Sequence, residues 1–267
     1  MLVCFGLWLW LASALRRRLD RADDTGLSRF AALGLIVYLL TVTTAAVDWV
    51  MSLVPAWRSS IFGLIVATSQ VLASQAGARI LERGGSAVDA AIAANAVLGV
   101  TEPMMDGIGG DLFVLYWDAK TGKLTGLNSS GPAPRALSPE FLEKLGDTKM
   151  PAAGIQSVTV PGAVQGWAQM HKRFGKLPWK DLFESAIAYA DKGFPVAEGI
   201  AEAWNSEGAR KKLESNSESK RVFLPDGRIP QTGDLFRNPD LGHALRLIAD
   251  QGADAFYKGE IAQAILK

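Results

Sequence analysis

The chain has 267 residues, a formal net charge of +1 and 49% apolar side chains. That length holds one large domain or two small ones, and so balanced a charge provides no basic field for nucleic acid. Cys4 is the only cysteine, which excludes an intrachain disulfide and a thiolate metal cluster.

The N-terminal part differs in composition from the rest. Leu2 to Leu15 is apolar or small throughout, and Phe30 to Val47 runs eighteen residues without a charge, close to the roughly 20 that cross a bilayer. Together they predict an α-helical membrane hairpin over residues 1–65. Arg16, Arg17, Arg18 and Arg21 should hold the intervening loop in the cytoplasm, which puts the large domain on the extracytoplasmic side. A signal peptide is the alternative for the first run, but its arginines follow it and no small-residue cleavage site stands out. Asp48, closing the second run, is either a functional ionisable group or an interfacial carboxylate beside Trp49 and Trp57. Met1 already falls inside an apolar run, so an upstream part is expected.

Ile61 to Ser74 reads either as the start of a membrane helix or as a strand leading into a helix, and the seam between two regions falls inside it. Gly84 and Gly85 separate that helix from the next, which Ser86 caps with Asp89 at its third position. Ala87, Ala90, Ala91, Ala93, Ala94 and Ala96 leave this second helix almost without bulk, so it should be buried beneath another layer. Pro103 ends it, Gly107, Gly109 and Gly110 allow a tight turn, and LFVLYW predicts a strand covered on both faces. The AKTG sequence then makes a hairpin turn to a strand over Lys123–Asn128. Ser138 and Pro139 open a short helix. A strand near Gln156 to Val160 leads through Pro161 and Gly162 into a helix ending near Phe174, where Gly175 is expected to supply a left-handed cap. A helix from Trp179 to Lys192 is closed by Gly193. Asn238 begins another, and Gly252 and Gly259 punctuate the last two. The basic clusters Arg210–Lys212 and Lys220–Arg221 read as a solvated helix end and loop.

The run from Gly84 to Phe113 resembles the signature of the γ-glutamyltransferase family. The blocks VATSQVLASQAGARILERGG, SVTVPGAVQGWAQMHKRFGKLPW, FESAIAYADKGFPV and DQGADAFYKGEIAQAI are similar to others in that family, so the resemblance covers residue 66 to the end. It implies an α+β fold, part of the αββα sandwich of the N-terminal-nucleophile hydrolases. Asp48 to Gly63 resembles instead a membrane subunit of the quinol:cytochrome c oxidoreductase called alternative complex III. Two such resemblances in one chain read as a chimera, with residues 1–65 as membrane segment and residues 66–267 as a fragment of the transferase large subunit.

The resemblance implies transfer of a γ-glutamyl group from glutathione or a related amide to water or an amino acid, without metal or organic cofactor. In that family a self-cleavage frees a threonine that is nucleophile and, through its α-amino group, its own base. This threonine is expected beyond Lys267, on a small subunit that partners the large one. Thr101, Thr121, Thr125, Thr148, Thr159 and Thr232 fall in large-subunit blocks and read as structural. A family arginine that binds the α-carboxylate of the glutamyl group belongs to the segment LNSSGPAPRALS, where a guanidinium fork matches a carboxylate. At its place stands Ser130 or Pro132, while Arg135 follows the Ala-Pro pair. Arg135 is therefore a substrate ligand or a surface arginine, and an acylase-like branch with another acyl substrate becomes an alternative. His171 and His243 have no metal-ligand spacing and read as core or surface histidines. Two other functions stand beside the transferase one: a fragment of a quinol-oxidising respiratory subunit, and a non-catalytic membrane-anchored domain.

Overall fold

The computed structural model describes residues 65–151 and 154–267. The expected membrane hairpin, and with it the resemblance to the respiratory subunit, lies outside them. Among the described residues no helix is long and apolar enough to cross a membrane.

Two helices make the centre of the core. Helix α1 (Val71–Glu82) is capped by the Gln70 side chain, and α2 (Ala87–Thr101) opens on a capping box in which Ser86 Oγ accepts from Asp89 N and the Asp89 carboxylate accepts from Ser86 N. The alanine run does what its lack of bulk dictates: Ala90, Ala93, Ala94, Ala96 and Val97 are all buried, and α1 lies so close that a Cβ on Gly77 would stand 3.1 Å from the Ala90 carbonyl. Asp89 is fully buried, and its Oδ2 also accepts from Lys176 N at 2.9 Å and Leu177 N at 3.2 Å. One carboxylate thus caps α2 and pins a distant turn to it.

Strands β1 (Leu112–Asp118) and β2 (Lys123–Ser129) form the expected antiparallel hairpin, in the register Leu112↔Ser129, Val114↔Leu127 and Tyr116↔Thr125 on its inner face. The expectation of cover on both faces does not hold among the described residues. Phe113, Leu115 and Trp117, with Leu124 opposite Trp117, are 59–80% exposed. Successive strand residues point to opposite faces, and α4 (Ala163–Phe174) packs with α2 on the inner one only.

After the short α3 (Pro139–Lys144), Ile155–Ser157 is a 3-10 turn rather than part of a strand. Gly175 is not left-handed, with φ −69° and ψ 153°. Its glycine serves close approach instead, because a Cβ there would fall 2.3 Å from the His171 ring. The helix expected over 179–192 is split into a 3-10 turn, Trp179–Phe183, and α5 (Glu184–Lys192). Trp179 sets the break: its ring packs edge-on against Phe183 at 4.8 Å while its Nε1 donates to the Ile248 carbonyl of α9 (Pro239–Gln251). The two-residue ladder β3 (Phe194–Pro195) with β4 (Leu235–Phe236) brackets α6 (Glu198–Asn205), α7 (Glu207–Glu214) and α8 (Ser217–Phe223). Trp204 and Phe236 seal that end at 4.9 Å between ring centroids. Helices α10 (Asp254–Tyr257) and α11 (Glu260–Ile265) complete the chain. The result is a mixed helix and strand fold in which helices cover one face of a hairpin.

Candidate functional site

Four separated segments meet at the end of the hairpin nearest the glycine turn. Gly110 O accepts from both Gly162 N and Ala163 N at 2.9 Å, and Ser129 Oγ donates to Gly162 O at 2.8 Å. Here backbone lies on backbone. A Cβ on Gly131 would fall 1.4 Å from Val160 O, and one on Gly162 would fall 1.8 Å from Ser129 O, so no side chain fits either position. The Tyr257 hydroxyl donates to Pro161 O at 2.8 Å and accepts from Gln165 N at 3.0 Å, tying α10 to the start of α4. Burial pushes that phenol's pKa up, against the opposing effect of the Gln165 N–H.

Asp111 stands at the centre of this junction. Its Oδ2 accepts from Ser130 Oγ at 3.0 Å, and its Oδ1 accepts from Gly131 N and Thr159 Oγ1, both at 3.3 Å. The carboxylate is exposed and, among the described residues, no cation pairs with it. Ser130, which stands at the place of the family arginine, is part of this cluster. Arg135 does not: it sits exposed in the turn closed by Leu137 N to Pro134 O, with no hydrogen bond or ion pair among the described residues. The sequence reading missed Asp111, the residue just before the LFVLYW strand, and a site role for Thr159, which it read as structural. Their signal was the pairing of an acidic residue after the glycine turn with hydroxyl residues in two later blocks.

A second network supports the glycine turn from below. Trp167 Nε1 donates to Asn95 Oδ1 at 2.7 Å, Asn95 Nδ2 donates to Asp106 Oδ2 at 2.5 Å, and Asp106 Oδ1 accepts from Gly107 N at 2.7 Å. Burial raises the Asp106 pKa, the Gly107 N–H opposes it, and nearby Glu102 adds to the rise. Between α2, α4 and the outer edge of β1 lies a groove of about 270 Å³, lined by Val88, Ile92, Leu112 and Met170 with Asn95 as its polar side chain.

Two of the threonines hold structural places. Thr101 Oγ1 is buried against Val97 O, and Thr121 Oγ1 donates to Asp118 in the hairpin turn. His171 Nε2 lies 2.9 Å from Leu177 O, and His243 Nε2 lies 3.2 Å from Glu260. Among the described residues no group of three His, Cys, Asp or Glu side chains could hold a metal ion.

The pattern of the Gamma-glutamyltranspeptidase family matches residues 73–267. The glutathione hydrolase proenzyme of Bacillus subtilis is 39% identical over 210 residues, covering 75% of this chain and 34% of that protein. Among solved structures, the Helicobacter pylori γ-glutamyltranspeptidase superposes with a TM-score of 0.70 at 34% identity, over 76% of this chain and 58% of that one. A cephalosporin acylase from Bacillus halodurans reaches the same TM-score at 42% identity, over 74% and 38%. The chain spans about a third of the length of the curated relatives it matches. With the pattern running through residues 73–267, the chain belongs to the γ-glutamyltranspeptidase family.

Proposed function

We propose that residues 66–267 form the large-subunit part of an acyl-transferring enzyme that moves a γ-glutamyl or related acyl group from an amide to water or an amine. The threonine that attacks the amide is supplied by a second segment, carried beyond this stretch of chain, which packs on the open face of the hairpin. One observation carries this reading. Phe113, Leu115, Trp117 and Leu124 make a contiguous apolar face on a two-stranded sheet, and a hairpin without a second layer is marginal in water. The relatives supply what such a face needs, since about two thirds of their length lies outside the matched region. The 42% identity to a cephalosporin acylase supports an acyl group wider than glutamyl amides. Residues 1–65 are read as a separate membrane segment that leaves the domain on the extracytoplasmic side, supported by the uncharged run from Phe30 to Val47.

Co-expression with the nucleophile-bearing segment of the Bacillus subtilis relative tests the reading. The two should co-purify and hydrolyse a γ-glutamyl or other acyl anilide, while the chain alone gives no turnover. Leu115→Asp, which places a charge in the centre of the apolar face, should weaken the association by about a hundredfold. Undiminished retention of the L115D chain would reject the open face as the contact.

A further inference from the structure

A second groove lies apart from the hairpin, between the turn Pro103–Met105 that leaves α2 and helices α6, α7 and α8. It measures about 550 Å³, within the range of small-molecule sites. Its lining is apolar, with Pro103, Met104 and Met105 from the turn and Trp204, Leu213 and Phe223 from the helices. Trp204 is rigidly held, being 2% exposed and set edge-on against Phe236. The methionines are adaptable: Met105 is 79% exposed, and an unbranched thioether side chain reshapes around an apolar guest. Lys212 is the one charged side chain of the lining. Arg210 and Arg221 nearby are engaged, the first by Glu214 and the second by Glu218 and Asp240, whereas Lys212 has no ion pair among the described residues. The carboxylates that flank the turn do not line the groove either. Glu102 accepts from Ser69 Oγ at 2.8 Å, and Asp106 accepts from Asn95 Nδ2 at 2.5 Å.

We propose that this groove binds a small amphipathic carboxylate, with its apolar tail among Met104, Met105 and Leu213 and its headgroup at Lys212. Apolar walls alone would take up any apolar molecule of the right size, and the ammonium is what sets the sign of the guest. A carboxylate gives that ammonium a charge-assisted hydrogen bond, whereas a cationic head would be repelled, so the discrimination has an attractive and a repulsive part. Helix α7 supplies the spacing. Ala209 and Leu213 stand four residues apart and share a face, and Lys212 lies three residues from Ala209 at its margin. The groove uses no residue of the open hairpin face or of the Asp111 junction, so it is independent of the acyl-transfer reading.

Methionine-methyl NMR on the full chain tests this. The protein is kept in phosphatidylcholine nanodiscs, which disperse its apolar N-terminal runs and carry no net charge, and is titrated with octanoate and with octyltrimethylammonium. The Met104 and Met105 methyl resonances should shift saturably with octanoate. They should do so at about tenfold lower concentration than with the cation, the difference between attraction and repulsion at an exposed lysine. Met150, and Met170 in the groove beside the hairpin, should stay in place. Lys212→Gln should bring the two midpoints together and Lys212→Glu should reverse their order, and because Lys212 is exposed both variants keep the fold. Equal binding of the two ligands by the wild type, or an unchanged ratio in K212Q, overturns the inference. So does a Met170 response at the same concentration as that of Met105, which is general apolar uptake.

Discussion

Asp106, half-buried, and Asp89, fully buried, are two carboxylates of similar appearance that do different things. Asp89 Oδ2 accepts from three backbone N–H groups and its burial follows from the capping box, so its first role was legible in the spacing Ser86 to Asp89. Its second role, on Lys176 and Leu177, was not legible, because nothing local links residues so far apart in the chain. Asp106 has a raised pKa, caused first by desolvation, so the folded state binds its proton more readily than the unfolded state. A carboxyl group of that kind adds stability as pH falls through its folded pKa and loses that contribution as pH rises past it. The sign is opposite to that of a salt-bridged aspartate. Denaturant midpoints measured between pH 7 and pH 4 for the wild type and for Asp106→Asn should therefore diverge in one direction, with the wild type gaining on the variant at the acidic end. A wild type that instead loses ground to D106N on acidification would show that the hydrogen bonds from Asn95 and Gly107 outweigh burial.

At the level of elements, glycine decides which contacts the hairpin can make. Gly162 is where the chain before α4 lies on the end of β2, and a Cβ there would meet Ser129 O at 1.8 Å. Gly162→Ala should cost about 2–3 kcal/mol, since backbone cannot step aside as a flexible side chain can. Gly208, inside α7 with open space around it, gives the contrasting case: Gly208→Ala should stabilise by about 0.5–1 kcal/mol through helix propensity. Denaturant midpoints of the two variants would measure both effects, and equal shifts would refute the distinction. The elements themselves were largely readable: the caps at Ser86, Ser138 and Asn238, the AKTG turn and the positive φ of Gly193 all stand where local chemistry put them. What local pattern could not show was cover. LFVLYW reads as a strand buried on both sides because all its residues are apolar, yet only Leu112, Val114 and Tyr116 find a layer here. The Gly175 error has the same origin, since the need for glycine came from the His171 ring and not from the helix end.

For the molecule as a whole, the described residues form one core around α1, α2, α4, α5 and α9, and in the sequence residues 1–65 carry the long apolar runs that precede it. Removing them should improve solubility without detergent, because continuous apolar runs exposed to water drive association. Side-by-side expression of the full chain and residues 66–267, compared by soluble fraction and protease resistance, would check this. A truncated form that is the less soluble or the more readily digested would return the N-terminal region to the fold. Much of the candidate site was readable as blocks of family-like sequence, but its electrostatic character was not, because it arises from Asp111, Ser130 and Thr159 meeting across 48 positions of chain.

The open hairpin also has a consequence for synthesis in the cell. Its free backbone edge and the row of Phe113, Leu115 and Trp117 beside it make a template onto which another copy's strand could add. Under the proposed function such a surface is safe only once the second segment covers it, and a precursor that carries both segments in one chain would deliver them in equal number. An orphaned surplus would become a client of holdase chaperones and proteases, and its abundance would then be set by quality control rather than by its own folding equilibrium.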